Sequence, residues 1–303
     1  MKKILVIGGT GFIGSYIAKE AIKRKFLVTS ISLKKPKTKR FNKHVKYKTI
    51  DISNYKALKK NLKGNFDYII NAGGYGKHPG FNSSGRKLFD SHFSGLVNLV
   101  KIFSKKKIKK FIQIGSSAEY GNIKSPQEET SKCLPKTPYA LAKSSCTNFL
   151  LNLYQINNFP VTVLRFFLVY GPLQDTNRVL PEVIQNCLND TKFPTTKGDQ
   201  YCDFCYIDDV VRAIFKTLNS KKSNGEIINI GYGKPFKIKN VIRLVCKLVG
   251  KGKPQFGKLK YRKDTNMKLY PNINKAKKIL SWSPKIKFDQ GLKLTLDSFN
   301  INE

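Results

Sequence analysis

Residues Lys3–Gly14 read KILVIGGTGFIG. The apolar run Ile4–Ile7 has the length of one buried strand and leads straight into glycines. Gly9, Gly11 and Gly14 fit G-x-G-x-x-G, and Gly8, Gly11 and Gly14 fit G-x-x-G-x-x-G. A helical pattern follows over Gly14–Lys25. Strand, glycine turn and helix N-terminus, in that order, make a cradle for a pyrophosphate. The glycines let the backbone approach closely, and the unpaired N–H groups and dipole of the helix face the anion. Gly8, Gly9, Thr10, Gly11, Phe12, Ile13 and Gly14 are therefore the expected dinucleotide loop.

Working outward, strand-like and helical runs alternate. Phe26–Ser32 reads as a strand and Asn54–Asn61 as a short helix. Tyr68–Asn71 reads as a strand and Gly85–Phe103 as a helix. Phe111–Ile114 is a strand, Pro138–Asn157 a long helix and Val161–Phe166 a strand. This βαβ rhythm implies an α/β fold, a doubly wound Rossmann parallel sheet with helices on both faces. The rhythm breaks after Tyr170, where Pro, Gly and loop residues increase. Ile207–Leu218 and Glu226–Ile230 read as a helix and strand returning to the sheet. The expected division is a dinucleotide-binding domain over 1–170 and 203–232, with a smaller C-terminal α/β substrate domain over 171–202 and 233–303.

The 303 residues carry 40% hydrophobic and 12% aromatic side chains, enough for a real core. No apolar run reaches the ~18–20 residues of a membrane span, and the run at Ile4–Ile7 is too short for an export signal. A cytoplasmic protein is expected, with no membrane partner. The net charge of +38 raises nucleic acid as a partner. Its makeup argues otherwise: 49 Lys against 8 Arg, spread along the whole chain, whereas nucleic-acid readers favour clustered Arg. No specific nucleic-acid function is expected. The six cysteines fit a reducing compartment. Cys202 and Cys205 form a lone C-x-x-C without the second pair that zinc needs, and YCDFCYI reads as a strand that would point them to opposite sides. No metal is expected.

A dinucleotide site usually carries a carboxylate at the end of its second strand, for the ribose 2′-hydroxyl. Here Ser32 stands there, followed by Lys34, Lys35, Lys37, Lys39 and Arg40. Cations without a carboxylate suit a 2′-phosphate, so NADP(H) is expected ahead of NAD(H). Asp51 and its neighbour Ile52, after the third strand, are placed for the adenine, Asp51 accepting from its amino group. Tyr139 and Lys143 lie four residues apart on one helix face. A phenol that titrates near ~10 is a poor acid–base group at neutral pH, and an adjacent ammonium favours its anion. Ser116, at the C-terminal end of its strand, can hold a substrate oxygen beside Tyr139.

In sum, these motifs resemble the extended short-chain dehydrogenase/reductase family, in its NAD(P)-dependent nucleotide-sugar epimerase/dehydratase/reductase branch. The resemblance extends through Asn71–Gly73 (NAG), Ile114–Gly121 (IGSSAEYG), Leu164–Pro172 (LRFFLVYGP), Asn177–Pro181 (NRVLP), Asp203–Val210 (DFCYIDDV) and the Arg262…Asn272–Trp282 tail. It implies catalysis at sugar C4 by Ser116, Tyr139 and Lys143. It adds Ala72 and Gly73 to the cofactor site, a nucleoside diphosphate sugar as substrate, and a homodimer through Gly85–Phe103 and Pro138–Asn157. Ser117, Ala118, Leu168, Asn177, Arg178 and Arg262 are the implied substrate contacts. The family's 4,6-dehydratases carry an Asp–Glu pair where this chain has Ser117 and Ala118, so dehydration is not expected. A Cys and a His used by epimerase-reductases are replaced by Ala118 and Arg178. The 4-epimerases often carry Asn at the Leu168 place and Arg at the Cys202 place. His92 stands where the family commonly has Asn, and Glu119 has no family counterpart to give it a role. The altered pocket and the lysine run favour NADPH-dependent 4-keto reduction of a nucleotide-linked 4-keto-6-deoxyhexose, for surface polysaccharide biosynthesis. An NAD-dependent nucleotide-sugar 4-epimerase is the competing reading, and a non-catalytic binding protein the third.

Overall fold

The computed structural model describes residues 1–74, 81–262 and 265–300. Its strands are β1 (Lys3–Ile7), β2 (Leu27–Ser32), β3 (Val45–Thr49), β4 (Tyr68–Asn71), β5 (Lys110–Ser116), β6 (Val161–Phe166), β7 (Leu168–Tyr170), β8 (Lys192–Thr195), β9 (Tyr201–Cys202), β10 (Phe204–Tyr206), β11 (Glu226–Ile230), β12 (Phe236–Lys237), β13 (Lys253–Phe256) and β14 (Lys268–Leu269). The α-helices are α1 (Phe12–Lys23), α2 (Tyr55–Asn61), α3 (Arg86–Phe89), α4 (Gly95–Phe103), α5 (Pro138–Asn157), α6 (Val179–Leu188), α7 (Ile207–Asn219), α8 (Ile238–Val249), α9 (Asn274–Leu280) and α10 (Phe288–Asn300).

Seven strands form one parallel sheet in the order β11-β6-β5-β4-β1-β2-β3. The winding reverses between β1 and β4, so ligand-contacting groups belong at the C-terminal ends of these two strands. β1 shows why both faces are covered. Ile4 and Val6 pack with Ile17, Ala21 and Val210 of α1 and α7, while Leu5 and Ile7 pack with Leu96, Leu99 and Leu150 of α4 and α5. A strand buried on both sides must be apolar at every position, as Ile4–Ile7 is. Two of the flanking helices begin on local caps. Asn54 accepts from Ala57 N to start α2, and Thr137 accepts from Ala140 N to start α5, with Pro138 just inside.

Differences from the sequence reading are local. The helix after the glycine loop opens at Phe12, because Ser15 N already bonds to Gly11 O. The expected helix Gly85–Phe103 is interrupted: a π-helical turn over Asp90–Ser94 joins α3 to α4. YCDFCYI is two strands in two separate sheets, β9 beside β12 and β14, and β10 beside β7. The break falls at Asp203, whose buried carboxylate accepts from Tyr232 N (2.8 Å) and Gly233 N (2.6 Å) and so pins the turn after β11. Burial pushes this carboxyl up to about 7, and the backbone donors oppose that rise.

Lys110, at the N-terminal end of the sheet, is 2% exposed. Its ammonium donates to Ser220 O (2.8 Å), Ser223 Oγ (2.9 Å) and Asn224 Oδ1, all uncharged. Burial therefore lowers it from 10.5 to about 8. Between those values the unfolded chain keeps a proton that the folded chain has released, so this group's contribution to stability rises with pH. Urea unfolding at pH 7.5 and 9.5 is expected to show wild type gaining on Lys110→Met as pH rises. A constant difference between the two proteins would contradict the assignment.

Candidate active site

The glycine loop lies between β1 and α1 and against the end of β4. Gly8 takes φ +76°, a left-handed conformation that glycine adopts without strain, and its N–H donates to Ile31 O (2.8 Å). A Cβ on Gly14 would lie 2.1 Å from Gly8 O, so the helix can begin this close to the turn only with glycine there. Ala72 N bonds to Ile7 O (3.0 Å), and Gly73 lies against Gly8, where a Cβ would come 2.7 Å from Gly73 Cα. Thr10 N faces Ser32 Oγ at 3.4 Å. Asp51 is exposed and accepts from Ser53 N (2.9 Å) and Ser53 Oγ (2.7 Å). Ile52 is buried against Gly95, and its carbonyl is held by Asn98 Nδ2 (2.9 Å). These close backbone approaches are the cradle a dinucleotide requires.

The lysine run after β2 departs from expectation. Lys34 and Lys35 are exposed, but Arg40 and Lys37 are engaged elsewhere. Both pair with Asp175, at 2.9 and 3.4 Å, and Arg40 also donates to Leu173 O. Tyr16 adds a bond from its hydroxyl to Pro172 O (3.0 Å). The loop after β7 is thus latched onto the loop after β2, across more than 130 residues of chain.

At the end of β5, Ser116 caps a 3₁₀ turn over Ser117–Tyr120. Its Oγ accepts from Ala118 N (3.2 Å), which leaves its own hydrogen free to be donated. Its backbone N–H donates to Glu119 Oε1 (2.8 Å), completing a capping box. Ser117 is buried and Ala118 half-buried in the same turn. Tyr139 and Lys143 come from the first two turns of α5. Lys143 is 5% exposed, its Nζ lies 5.9 Å from the centre of the Tyr139 ring, and it donates to Ile114 O (2.8 Å). That carbonyl also accepts from Gln113 Nε2 (3.2 Å). Gln113 in turn accepts from Asn71 Nδ2 (2.9 Å), and Asn71 Oδ1 accepts from Gly73 N (3.2 Å). A buried hydrogen-bond chain thus runs from the cofactor side of β4 to the ammonium beside the phenol.

Two residues left without a firm role by sequence are placed by the fold. His92 is buried, with its ring edge-on to Tyr139 (5.5 Å between centres) and against Gly74, whose Cβ would overlap it at 1.9 Å. Glu119 is wholly buried and bonded to Ser116 N, to Thr147 Oγ1 (2.8 Å) and to Arg165 Nε (2.9 Å). The remaining sequence candidates lie on β7, at the head of α6 and in the loop before β14. Leu168 is half-buried in β7, beside Phe204 of β10. Asn177, Arg178 and Arg262 are exposed: Arg178 heads α6, and Arg262 offers its carbonyl to Thr265 N (3.0 Å).

No helix among the described residues is long and apolar enough to cross a membrane. UDP-glucuronate 4-epimerase of Thermodesulfobacterium geofontis is 29% identical over 311 residues, which cover 97% of this chain and 94% of that protein. The crystal structure of UDP-glucose 4-epimerase from Thermotoga maritima with UDP-glucose superposes with TM-score 0.92 at 26% identity, covering 99% of both chains. UDP-glucuronic acid 4-epimerase from Bacillus cereus, in complex with UDP-glucuronic acid and NAD, gives 0.88 at 27% identity, over 99% of this chain and 100% of that one. Residues 4–231 match the family profile that spans the glycine loop, Ser116, Tyr139 and Lys143, and the chain belongs to the NAD dependent epimerase/dehydratase family.

Proposed function

We propose that this protein is a nucleotide-sugar 4-epimerase that works with retained NAD, in place of the NADPH-dependent ketoreductase favoured by sequence. One observation carries the change: Asp175 takes Arg40 and Lys37, two of the cations on which the 2′-phosphate reading rested. With these two cations engaged, Lys34 and Lys35 remain exposed after β2, and the argument for a consumed NADPH is weaker. The likeness to UDP-sugar 4-epimerases over the whole chain supports the same reading. Dehydration is disfavoured because Ser117 and Ala118 do not titrate, and the carboxylate in the same turn, Glu119, is buried in bonds to three partners.

Bound on the glycine loop, NAD supplies a reversible two-electron oxidant for sugar C4. Tyr139 removes the proton from the C4 hydroxyl and later returns one to the re-formed alcohol. Ser116 donates its free hydrogen to the same oxygen and so fixes the sugar against Tyr139. Lys143 places a positive charge one turn from the phenol, where the phenolate needs it. Inversion requires the 4-keto sugar to present its other face before reduction, and Ser117 and Ala118 give that rotation small neighbours.

Two results are expected. The purified protein releases NAD on denaturation and epimerises a UDP-hexose or UDP-hexuronate with no cofactor added. Stoichiometric NADPH consumption with a 4-keto sugar would overturn the proposal. Asp175→Asn frees Arg40 and Lys37, so it should raise NADP affinity relative to NAD, measured by competitive titration of apoprotein. Equal ratios in variant and wild type would remove the observation on which the NAD assignment rests.

A further inference from the structure

Glu119 sits where the end of β5, β6 and α5 meet. Its Oε1 accepts the N–H of Ser116 itself. Its Oε2 accepts from Arg165 Nε on β6 and from Thr147 Oγ1 on α5. Thr147 lies one helical turn after Lys143 and two after Tyr139, on the same face. All three partners are themselves buried or partly buried: Arg165 is 2% exposed and Thr147 fully enclosed. Gly115 completes the enclosure, since a Cβ there would come 2.7 Å from Glu119 Oε1.

A charge-assisted bond is shorter and stronger than a neutral one, and Glu119 combines one from Arg165 Nε with bonds from two other elements, although Arg165 Nη1 stays buried without a hydrogen-bond partner among the described residues. We propose that Glu119 is a positioning residue: its carboxylate locks the strand end that carries Ser116 to the helix that carries Tyr139 and Lys143, and so sets the Ser116-to-Tyr139 spacing. This rests on the reading of Ser116, Tyr139 and Lys143 as the reacting set. Glu119 does not reach the substrate, and its charge is already committed to Arg165. The bond from Thr147 joins it directly to α5, which makes Thr147 the place to test the lock without stranding the buried guanidinium.

Thr147→Val keeps volume and the Glu119–Arg165 pair and removes only the link. It is expected to lower kcat roughly tenfold, well short of the ~10²-fold that a 1 Å misplacement can cost, with KM and retained NAD unchanged. Thr147→Ser restores the hydroxyl and should recover turnover. In Thr147→Val, amide hydrogen exchange of the Ser116–Tyr120 segment should quicken. A kcat equal to wild type, or unchanged exchange in that segment, would overturn the proposal. A merely structural role would lower melting temperature and leave kcat in place. The same ratio of kcat values is expected whether the wild type proves to be an epimerase or a reductase. A wild type that turns over no nucleotide sugar would sink the functional reading alone, and hydrogen exchange would then decide the role of Glu119.

Discussion

Tyr139→Phe is expected to lower kcat by roughly 10²–10⁴-fold, the contribution of a well-placed acid–base group, with NAD affinity unchanged. The substitution removes one oxygen and leaves the ring in place. The ring keeps its edge contact with His92 at 5.5 Å and its place on α5, and Lys143 keeps its bond to Ile114 O. Stability and cofactor retention should therefore stay close to wild type, and the loss should fall on kcat rather than KM. Turnover of Tyr139→Phe within tenfold of wild type would mean that another group moves the proton. Ser116→Ala is a less clean probe. Ser116 Oγ also caps the 3₁₀ turn through Ala118 N, so its removal costs stability of about 1 kcal/mol as well as the proposed contact to substrate.

The parts of this site that sequence made legible are those encoded within a few neighbouring residues. β1, the glycine loop and α1 are one continuous stretch in which every local preference agrees. Tyr139 and Lys143 are one helical turn apart, and Ser116 ends an apolar strand. Glu119 had a legible half: Ser116-x-x-Glu119 is a capping-box spacing. Its other half, the bonds to Thr147 and Arg165, depends on α5 and β6 crossing the same point, which no local pattern encodes. The pairing of Arg40 was hidden for the same reason. In sequence this residue belongs to a run of cations, and its partner Asp175 lies 135 residues away. The NADP expectation was an inference about unpaired charge, and pairing is a property of the fold. The break in YCDFCYI has a similar cause, because Asp203 is recruited by the backbone of a turn near residue 232.

The glycine loop separates two kinds of requirement, and a pair of alanine substitutions should tell them apart. At Gly14 the added Cβ would meet Gly8 O at 2.1 Å, and Gly8 C and Gly9 Cα at 2.7 Å. All three are backbone atoms, so no side chain can swing aside and the turn itself must open. Gly14→Ala should therefore lower both the melting temperature of the apoprotein and the affinity for NAD, the latter by ~10²-fold or more if about 2.8 kcal/mol of strain falls on the bound state. At Gly11 the described atom that the added Cβ would meet, chain neighbours aside, is Gly8 O at 3.3 Å, a contact far looser than those at Gly14. Gly11 lies where α1 presents its N-terminus, the side from which a pyrophosphate must approach. Gly11→Ala should leave the apoprotein's melting temperature within a degree or two of wild type and still weaken NAD binding. Thermal unfolding of both apo variants, with NAD titration, distinguishes the outcomes. If Gly11→Ala bound NAD as tightly as wild type, the dinucleotide would not run along this loop, and the proposed pairing of Tyr139 with bound NAD would lose its basis.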